Sequence, residues 1–362
     1  MIAIVLGTRP EIIKCAPIIH EARRRGIPFA IIHTGQHYTP ELDELFFAEL
    51  DVPKPIANIN VGSRPAPKQI AAMLEGLHDI FLRIDPRVVL VQGDTNSVLG
   101  GSLCAHKMGI KVAHLEAGLR SDDWGMPEEG NRVLTGVVAD YHFCPTDVQR
   151  ERLARENITQ GVHVVGNTIV DATAHFSEIA RTQSGILQKL GVKPGSYFLL
   201  TMHRPSNVDD HERLEGMMRM MDEVATALGK RIVFTVHPRT EKQLRKAGVW
   251  ERYQKQSSFL FLPPIGYLDL LRLQSDAALV LTDSGGIQEE ANILRIPCVT
   301  LRENTERPET LAAGGNVLYG GTDPAELLIH VEQMLRKERT WECPFGDGMT
   351  AKRVMDVLSE SK

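Results

Sequence analysis

Short aliphatic segments alternate with helix-forming segments along most of this 362-residue chain, and this alternation constrains the fold more than any other feature. Residues 87–91 are almost continuously aliphatic, as strands are when helices cover both faces of a parallel sheet. The alternation therefore predicts an α/β protein with parallel sheets. Further strands are predicted at residues 2–6, 29–33, 112–115, 162–165, 197–201, 231–236, 259–262, 277–281 and 298–301.

The pattern restarts in the second half of the chain, behind a long polar helix predicted to run to about residue 190. Because 362 residues exceed a usual single core, we expect two domains. The first spans residues 1–167 and the second spans residues 168–348, while a final helix at about residues 349–362 packs back on the first domain. A helix predicted over residues 211–228 carries methionines at helical spacing, which indicates a core stripe.

The composition excludes several classes of protein. The net charge of −5 and the lack of a basic block argue against nucleic acid and anionic membranes as partners. No apolar run approaches the length of a membrane span, and the run at residues 2–6 is too short for the core of a signal peptide. The five cysteines are scattered without Cys-x-x-Cys spacing, which predicts reduced thiols, a cytoplasmic location and no zinc site.

The segment from Asp283 to Glu290 reads Asp-Ser-Gly-Gly-Ile-Gln-Glu-Glu and joins a predicted strand to a predicted helix. Gly285 and Gly286 allow the backbone to turn tightly and to approach a ligand, while the N-terminus of the helix offers unpaired N–H groups to a phosphate. The Glu290 carboxylate is placed to accept two hydroxyls, as on a ribose. The alternative is a plain connection in which Ser284 caps the helix.

Carboxylates follow successive strands in the first half of the chain. Asp94 follows the strand at 87–91, Glu116 follows the strand at 112–115, and Glu128 lies at the start of the next helix. Ligands bind at the carboxyl edge of an open parallel sheet, so these three groups are candidates for acid and base catalysis. The alternatives are a helix cap for Asp94 and solvated carboxylates for the other two.

Polar residues follow other strands in both halves. Arg9 and Lys14 lie near the first strand–helix junction, where the alternative role is that of a surface cation, and His203 follows the strand at 197–201. No Gly-x-Gly-x-x-Gly, Walker sequence or metal-ligand spacing occurs, so neither a dinucleotide cofactor nor a metal is expected. Two doubly wound domains with polar strand ends are expected to face each other across a cleft.

Eight motifs, in order and over nearly the whole chain, resemble those of the non-hydrolysing UDP-N-acetylglucosamine 2-epimerases. The resemblance implies two Rossmann-like domains similar to GT-B glycosyltransferases, a homodimer, no cofactor, and interconversion of UDP-N-acetylglucosamine and UDP-N-acetylmannosamine for cell-surface polysaccharide. The motifs are Gly7-Thr8-Arg9-Pro10-Glu11, Gln92-Gly93-Asp94-Thr95, His114 to Arg120, Pro127-Glu128-Glu129, Gly166-Asn167-Thr168, His203-Arg204, Asp283 to Glu290 and Thr305 to Glu309.

The resemblance also implies roles for individual residues. The acid and base carboxylates fall on Asp94, Glu116 and Glu128. A proton beside an acetamido carbon is only weakly acidic, so we expect elimination of UDP to a 2-acetamidoglucal and its re-addition, with His203 among the reacting groups. Binding of the UDP-sugar falls on Arg9, Lys14, His203, Ser284, Gly285, Gly286, Glu290 and Arg307.

One segment departs from the family pattern, because His203-Arg204-Pro205-Ser206-Asn207 stands where many members read His-Arg-Arg-Glu-Asn. A second, activating substrate molecule binds near this segment in some bacterial members, so allosteric activation is left open. The intact Thr-Arg-Pro-Glu and Thr-Glu-Arg-Pro-Glu patterns favour UDP-N-acetylglucosamine over the UDP-diacetamido-glucuronate of a related branch. A GT-B glycosyltransferase and a non-catalytic nucleotide-sugar binding protein are the alternatives.

Overall fold

The computed structural model describes residues 1–36 and 40–360. The chain divides into two compact units: unit 1 is Met1–Ala172 with Phe345–Lys362, and unit 2 is Thr173–Pro344. Each unit contains one parallel sheet with helices between successive strands, which confirms the predicted Rossmann-like, doubly wound architecture. The boundary between two domains that the sequence predicts between residues 167 and 168 stays a prediction.

Unit 1 is built on a sheet of β1 (Ile2–Leu6), β2 (Phe29–His33), β3 (Ala57–Asn58), β4 (Val88–Gln92), β5 (Lys111–Leu115), β6 (Tyr141–Cys144) and β7 (Val162–Val164). The spatial order is β3-β2-β1-β4-β5-β6-β7, so the winding direction reverses between β1 and β4. Every residue of β1 and β4 is buried, which explains why these strands are aliphatic throughout. In such a sheet the carboxyl edge near the reversal is where ligands bind.

The local sequence explains where the first helix begins and ends. The first helix starts after the turn Gly7-Thr8 with Pro10 in its first turn, and it ends before Gly26, whose φ of 66° is readily adopted by glycine. The helices are α1 (Arg9–Arg25), α2 (Pro40–Glu49), α3 (Ala66–Ile84), α4 (Asn96–Lys107), α5 (Pro127–Val138), α6 (Asp147–Arg155) and α7 (Thr168–Gln183).

Unit 2 repeats the arrangement with β8 (Tyr197–Thr201), β9 (Arg231–Thr235), β10 (Phe259–Leu262), β11 (Leu279–Thr282), β12 (Cys298–Thr300) and β13 (Asn316–Leu318). Its order is β10-β9-β8-β11-β12-β13, with the reversal between β8 and β11. Its helices are α8 (Ile186–Leu190), α9 (Pro205–Val208), α10 (His211–Ala227), α11 (Pro238–Lys246), α12 (Trp250–Gln254), α13 (Tyr267–Ser275), α14 (Gly285–Ile293), α15 (Pro308–Ala312) and α16 (Pro324–Arg336).

The methionine stripe of α10 is part of the unit 2 core, as predicted. Met217, Met218 and Met221 are fully buried and pack with Leu214 and Val224 in the main hydrophobic cluster of this unit. Flexible thioether side chains fill irregular gaps between a helix and a sheet. The stripe is therefore structural, and it holds α10 against the sheet whose carboxyl edge carries His203.

The long helix predicted to reach residue 190 is wrong in one respect, because it is two helices. α7 ends at Gln183 and α8 begins at Ile186. The Ser184 hydroxyl donates to Asp269 at 2.5 Å and accepts from the Ile186 N–H at 3.3 Å. Serine and glycine at 184–185 favour such a break, since serine bonds to nearby backbone and glycine weakens a helix.

The last helix, α17 (Thr350–Glu360), belongs to unit 1. Val354, Met355 and Leu358 are buried, and Arg25 of α1 donates to Asp356 at 2.7 Å. This helix therefore covers apolar surface of the first unit. No helix in the described part of the chain combines the length and apolarity needed to cross a membrane.

Candidate active site

The carboxyl edge of the unit 1 sheet carries the first group of predicted site residues. β4 ends at Gln92 and is followed by Asp94, whereas β5 ends at Leu115 and is followed by Glu116. The two strands pair in parallel, and the Gly93 N–H donates to the Leu115 carbonyl at 3.1 Å. Asp94 and Glu116 therefore leave adjacent strands at one edge.

Glu116 is a buried carboxylate held by three side chains. Lys14 Nζ lies 2.5 Å from its Oε1, Asn167 Nδ2 donates to Oε1 at 2.8 Å, and Gln92 Nε2 donates to Oε2 at 2.7 Å. The φ of Glu116 is 61°, a left-handed conformation that costs about 1–3 kcal/mol and is concentrated at functional sites. Lys14 is buried as well, so two predicted site residues form one buried ion pair.

Asp94 has a different cation as its partner. Arg132 of α5 donates to Asp94 Oδ2 through Nη2 at 2.5 Å and through Nε at 3.0 Å, and its Nη1 donates to Glu129 Oε2 at 2.7 Å. Burial alone would lower the pKa of Arg132, but the charge of Asp94 and the bond to Glu129 outweigh it and raise that pKa. Arg132 therefore stays charged between two carboxylates.

Glu129 connects this ion pair to the loop between β5 and α5. Its carboxylate accepts the N–H and hydroxyl of Ser121, both at 2.9 Å, and the Asp122 N–H at 3.0 Å. Burial opposes ionisation of Glu129, yet these bonds and Arg132 lower its pKa. Glu128, the third predicted carboxylate, is the preceding residue in the first turn of α5. It is partly exposed, and no residue in the described ranges pairs with it.

The turn between β1 and α1 carries Arg9 and a buried acid, Glu11. Glu11 Oε2 accepts the N–H groups of Gly7 at 2.6 Å and Thr8 at 2.8 Å, and Oε1 accepts the Thr95 hydroxyl at 2.5 Å. Burial raises the pKa of Glu11 to about 7, although these hydrogen bonds act against the increase. Glu11 thus ties the turn that carries Arg9 to the residue that follows Asp94.

At the carboxyl edge of the unit 2 sheet, Asp283 organises the backbone. It follows β11 and is fully buried. Its carboxylate accepts the N–H of His203 at 3.0 Å, the N–H of Arg204 at 2.8 Å and the Asn207 side-chain amide at 3.1 Å, and it lies 3.1 Å from His203 Nδ1. Burial opposes the charge, but the bonds from His203 and Arg204 lower the pKa of Asp283.

The helix α14 begins directly after this carboxylate. Ser284 occupies the N-cap position, but its side chain makes no capping bond and its N–H donates to Thr282 Oγ1 at 3.0 Å. A Cβ on Gly286 would meet no atom within 4 Å, whereas one on Gly285 would lie 2.7 Å from Glu306 Oε1. The space in front of Gly286 is therefore open, as an anion site at a helix N-terminus requires.

Glu290 and Arg307 lie close to the same helix, each with a protein partner. Glu290 is buried in α14 and accepts the Tyr267 hydroxyl at 3.1 Å; burial and the charge of Glu290 raise the pKa of Tyr267. Arg307 donates through Nε to Glu289 at 2.6 Å. The guanidinium of Arg307 is thus held beside α14 by a carboxylate of that helix.

The sequence alone does not predict a role for Glu11, Arg132 or Asp283, although all three lie in or beside the motifs. Their partners could not be read from the sequence, because Thr95 is 84 residues from Glu11, Asp94 is 38 from Arg132 and His203 is 80 from Asp283. Buried carboxylates next to a turn need such partners, so an acidic residue at a turn is the sequence feature that could indicate these contacts. Among residues 1–36 and 40–360, no group of His, Cys, Asp or Glu side chains could hold a metal ion.

Two Rossmann-like sheets, one with buried ion pairs at its carboxyl edge and the other with a helix N-terminus there, are the arrangement typical of α/β proteins that bind nucleotides. The profile of the UDP-N-acetylglucosamine 2-epimerase family matches residues 20–359. A UDP-N-acetylglucosamine 2-epimerase from Methanocaldococcus jannaschii is 46% identical, over 100% of this chain and 99% of the relative. The chain therefore belongs to the UDP-N-acetylglucosamine 2-epimerase family.

Solved structures of family members are similar over the full chain. The M. jannaschii UDP-GlcNAc 2-epimerase in complex with UDP-GlcNAc and UDP has a TM-score of 0.92 at 46% identity, and the match covers 99% of each chain. The Neisseria meningitidis enzyme bound to UDP-GlcNAc has a TM-score of 0.89 at 29% identity, covering 99% of this chain and 100% of that one.

Proposed function

We propose that this chain is an isomerase that interconverts UDP-N-acetylglucosamine and UDP-N-acetylmannosamine by epimerisation at C2. The observation that carries the proposal is the full-length similarity, at 46% identity, to a structure that contains UDP-GlcNAc and UDP. The motif residues that mark the family also occupy the two carboxyl edges, where an α/β protein binds its ligands.

The reaction proceeds by elimination and re-addition of UDP. A carboxylate removes the C2 proton while the bond from C1 to the diphosphate oxygen breaks, and UDP leaves with that electron pair. The sugar is then a 2-acetamidoglucal with a double bond between C1 and C2. The diphosphate oxygen adds back to C1, and an acid delivers a proton to the opposite face of C2. The route needs no oxidant, and acid and base groups supply all of its proton transfers.

The residues divide this work according to their chemistry. Asp94, Glu116 and Glu128 are the acid and base groups, since carboxylates on neighbouring elements of unit 1 can serve both faces of a sugar. Diphosphate charge develops as UDP leaves, and preorganised donors stabilise it best. Those donors are the N-terminus of α14 from Ser284 to Gly286, with Arg9, Lys14, His203 and Arg307, while Glu290 accepts the ribose hydroxyls.

The proposal is tested by incubating the full chain with UDP-N-acetylglucosamine in heavy water. We expect deuterium at C2 of both nucleotide sugars, because the proton taken from C2 exchanges with solvent. Transfer of the sugar to an added acceptor would instead indicate a GT-B glycosyltransferase, and binding without turnover would indicate a binding protein.

Variants of the carboxylates test their role separately. Asp94→Asn and Glu116→Gln should each abolish the exchange and leave the dissociation constant of UDP within a few-fold of the unmodified value, because these groups act on the sugar. Glu290→Ala should weaken UDP binding instead. Full exchange in both carboxamide variants would remove Asp94 and Glu116 from the mechanism.

We further propose that the chain forms a homodimer. Leu134 and Val137 lie one turn apart on α5 with relative exposures of 53% and 69%, and exposed neighbouring apolar residues favour association.

Light scattering should give twice the chain mass of 40.2 kDa, and the double variant Leu134→Glu with Val137→Glu should give the monomer mass. Val148→Glu, at an exposed position of α6, is the matched control; dissociation by this control alone would refute the choice of surface.

We propose that the chain acts in the cytoplasm and supplies N-acetylmannosamine units for cell-surface polysaccharide. No disulfide joins two cysteines in the described part of the chain, and four of the five cysteines are buried, as is usual in a reducing compartment. Fractionation of cells that express the tagged chain should recover it with cytoplasmic enzymes. Disruption of its gene should remove N-acetylmannosamine or its derivatives from the surface polysaccharide, and an unchanged polysaccharide would count against this pathway.

A further inference from the structure

We propose that Asp283 is a positioning residue that fixes the tautomer of His203, so that Nδ1 carries a proton toward Asp283 and Nε2 is presented to the substrate. This inference rests on the proposed function, in which His203 meets the diphosphate of the UDP-sugar. It adds a role for a residue that is too deeply buried to touch the substrate itself, since Asp283 has no exposed surface.

The two oxygens of Asp283 have different partners. Oδ2 accepts the Arg204 N–H at 2.8 Å and the Asn207 amide at 3.1 Å. Oδ1 lies 3.1 Å from His203 Nδ1. The His203 N–H lies between them, at 3.1 Å from Oδ1 and 3.0 Å from Oδ2. Oδ2 therefore anchors the turn after β8, while Oδ1 faces the imidazole.

The tautomer follows from hydrogen-bond chemistry. An ionised carboxylate only accepts hydrogen bonds, so a lone pair on the His203 nitrogen that faces Oδ1 would meet a negative charge, and hydrogen on that nitrogen is favoured. The neutral ring then has its lone pair at Nε2, and the protonated ring has an N–H donor there. A donor at Nε2 with a buried anion behind it can stabilise the charge that develops on a departing diphosphate.

His237 provides an internal contrast. It follows β9, which pairs with β8, and its ring centroid lies 5.4 Å from that of His203. Its Nδ1 accepts the Arg239 N–H at 3.1 Å as the N-cap of α11. A nitrogen that accepts a hydrogen bond carries no proton, so His237 is the Nε2–H tautomer. Two neighbouring histidines are thus expected in opposite tautomers.

The first experiment measures these tautomers by NMR in the unmodified full chain labelled with ¹⁵N, with His203→Asn and His237→Asn used only to assign the ring signals. We expect hydrogen on Nδ1 of His203 and on Nε2 of His237. Hydrogen on Nε2 of neutral His203 would overturn the inference. This measurement does not depend on turnover, so it separates failure of the inference from failure of the proposed epimerisation.

The second experiment uses Asp283→Asn. The amide oxygen can replace Oδ2 and keep the turn, and the amide NH₂ then faces His203 Nδ1, which forces the other tautomer. The amide NH₂ cannot face a ring that carries hydrogen on both nitrogens, so Nε2 then offers the departing diphosphate only a neutral donor with no buried anion behind it. Because hydrogen bonds from ionised groups are about twice as strong as neutral ones, we expect kcat to fall on the order of tenfold or more with KM within a few-fold. The double variant with His203→Asn should be no slower than His203→Asn alone.

Asn207→Ala is the matched control, because it removes another bond to Asp283 without touching the imidazole. It should keep hydrogen on Nδ1 of His203 and retain most of kcat. A kcat of Asp283→Asn within about twofold of the unmodified value would overturn the inference, as would equal losses in both variants. If Asp283→Asn fails to fold, the tautomer in the unmodified chain still decides.

Discussion

Glu11 is a buried acid whose titration should be visible in the stability of the protein. Burial raises its pKa from 4.5 to about 7. Between these values the folded chain keeps a proton that the unfolded chain has released, so the free energy of unfolding contributed by Glu11 is full below pH 4.5 and falls as pH rises to about 7.

We therefore expect Glu11→Gln to remove this dependence. Glutamine matches the protonated acid, because its oxygen can accept the N–H groups of Gly7 and Thr8 while its NH₂ donates to Thr95. Urea denaturation at a series of pH values should show the unmodified chain losing on the order of 3 kcal/mol relative to the variant between pH 4.5 and 7.

Glu21→Gln is the control on the same helix. Hydrogen bonds from Arg24, which outweigh the effect of burial, help to lower the pKa of Glu21 to about 2, so its contribution is lost only as pH falls below 4.5. The difference between the unmodified chain and Glu21→Gln should be constant from pH 4.5 to 7. If Glu11→Gln and the unmodified chain give parallel curves in that window, the raised pKa is wrong.

For individual residues, the sequence predicts where the candidate catalytic groups lie but not what they contact. Asp94 and Glu116 could be placed because each follows an aliphatic strand, and parallel strands end at one edge. The partners of Glu116 could not be predicted, because Lys14 and Asn167 lie 102 and 51 residues away from it along the chain. The roles assigned to the individual side chains remain predictions.

Among the elements, α14 has the proposed task of binding the diphosphate of the UDP-sugar at its N-terminus. The N–H groups in its first turn have no partner within the helix, and a Cβ on Gly286, in the same turn, would point into open space. We expect Gly286→Ala to leave the fold intact or to stabilise it by about 0.5–1 kcal/mol, because alanine favours a helix over glycine. If the proposed function is right, UDP affinity should fall at least tenfold, because the methyl group would lie in the space proposed for the phosphates.

The control for this prediction is Gly216→Ala in α10, where a Cβ would make an ordinary contact of 3.5 Å with Thr322. It should gain similar stability without any change in UDP binding. Thermal unfolding gives the first quantity and calorimetric titration with UDP gives the second. Unchanged UDP affinity in Gly286→Ala would place the phosphates elsewhere.

Elements differ in how well the sequence predicts them. The sequence predicts strands such as β1 and β4 because both of their faces are buried and the run of aliphatic residues is unbroken. The sequence does not predict the strands β3, β6 and β13; β3 has two residues and β13 has three, and such short segments show no period. The break between α7 and α8 falls at Ser184 and Gly185, and the Ser184 hydroxyl also donates to Asp269, which lies far along the chain.

For the whole molecule, the return of the chain to unit 1 is a testable feature. Met355 of α17 is fully buried, and Met355→Ala should destabilise unit 1 by about 2–5 kcal/mol through a lost contact and a cavity. Hydrogen exchange followed by mass spectrometry should then show faster exchange in peptides of β1 and β4. Peptides of β8 and β11 should keep their original rates, because these strands belong to unit 2.

Met349→Ala, with 44% exposure just before α17, is the matched control and should change neither set of peptides. Uniformly faster exchange across both units in Met355→Ala would mean that the two units unfold together.

The division into two units can be predicted from the sequence, because the alternation of strands and helices restarts after residue 168. The residues that α17 contacts cannot be predicted from the sequence, because they belong to apolar surfaces formed far earlier in the chain.

Because residues 345–362 complete unit 1, the order of synthesis and the order of folding differ in this protein. On the ribosome, all of unit 2 emerges before α17 does. Unit 1 therefore cannot complete its fold until then, and part of its apolar surface stays exposed. A nascent chain stalled before residue 350 is therefore expected to recruit chaperones through its oldest segment, not its newest.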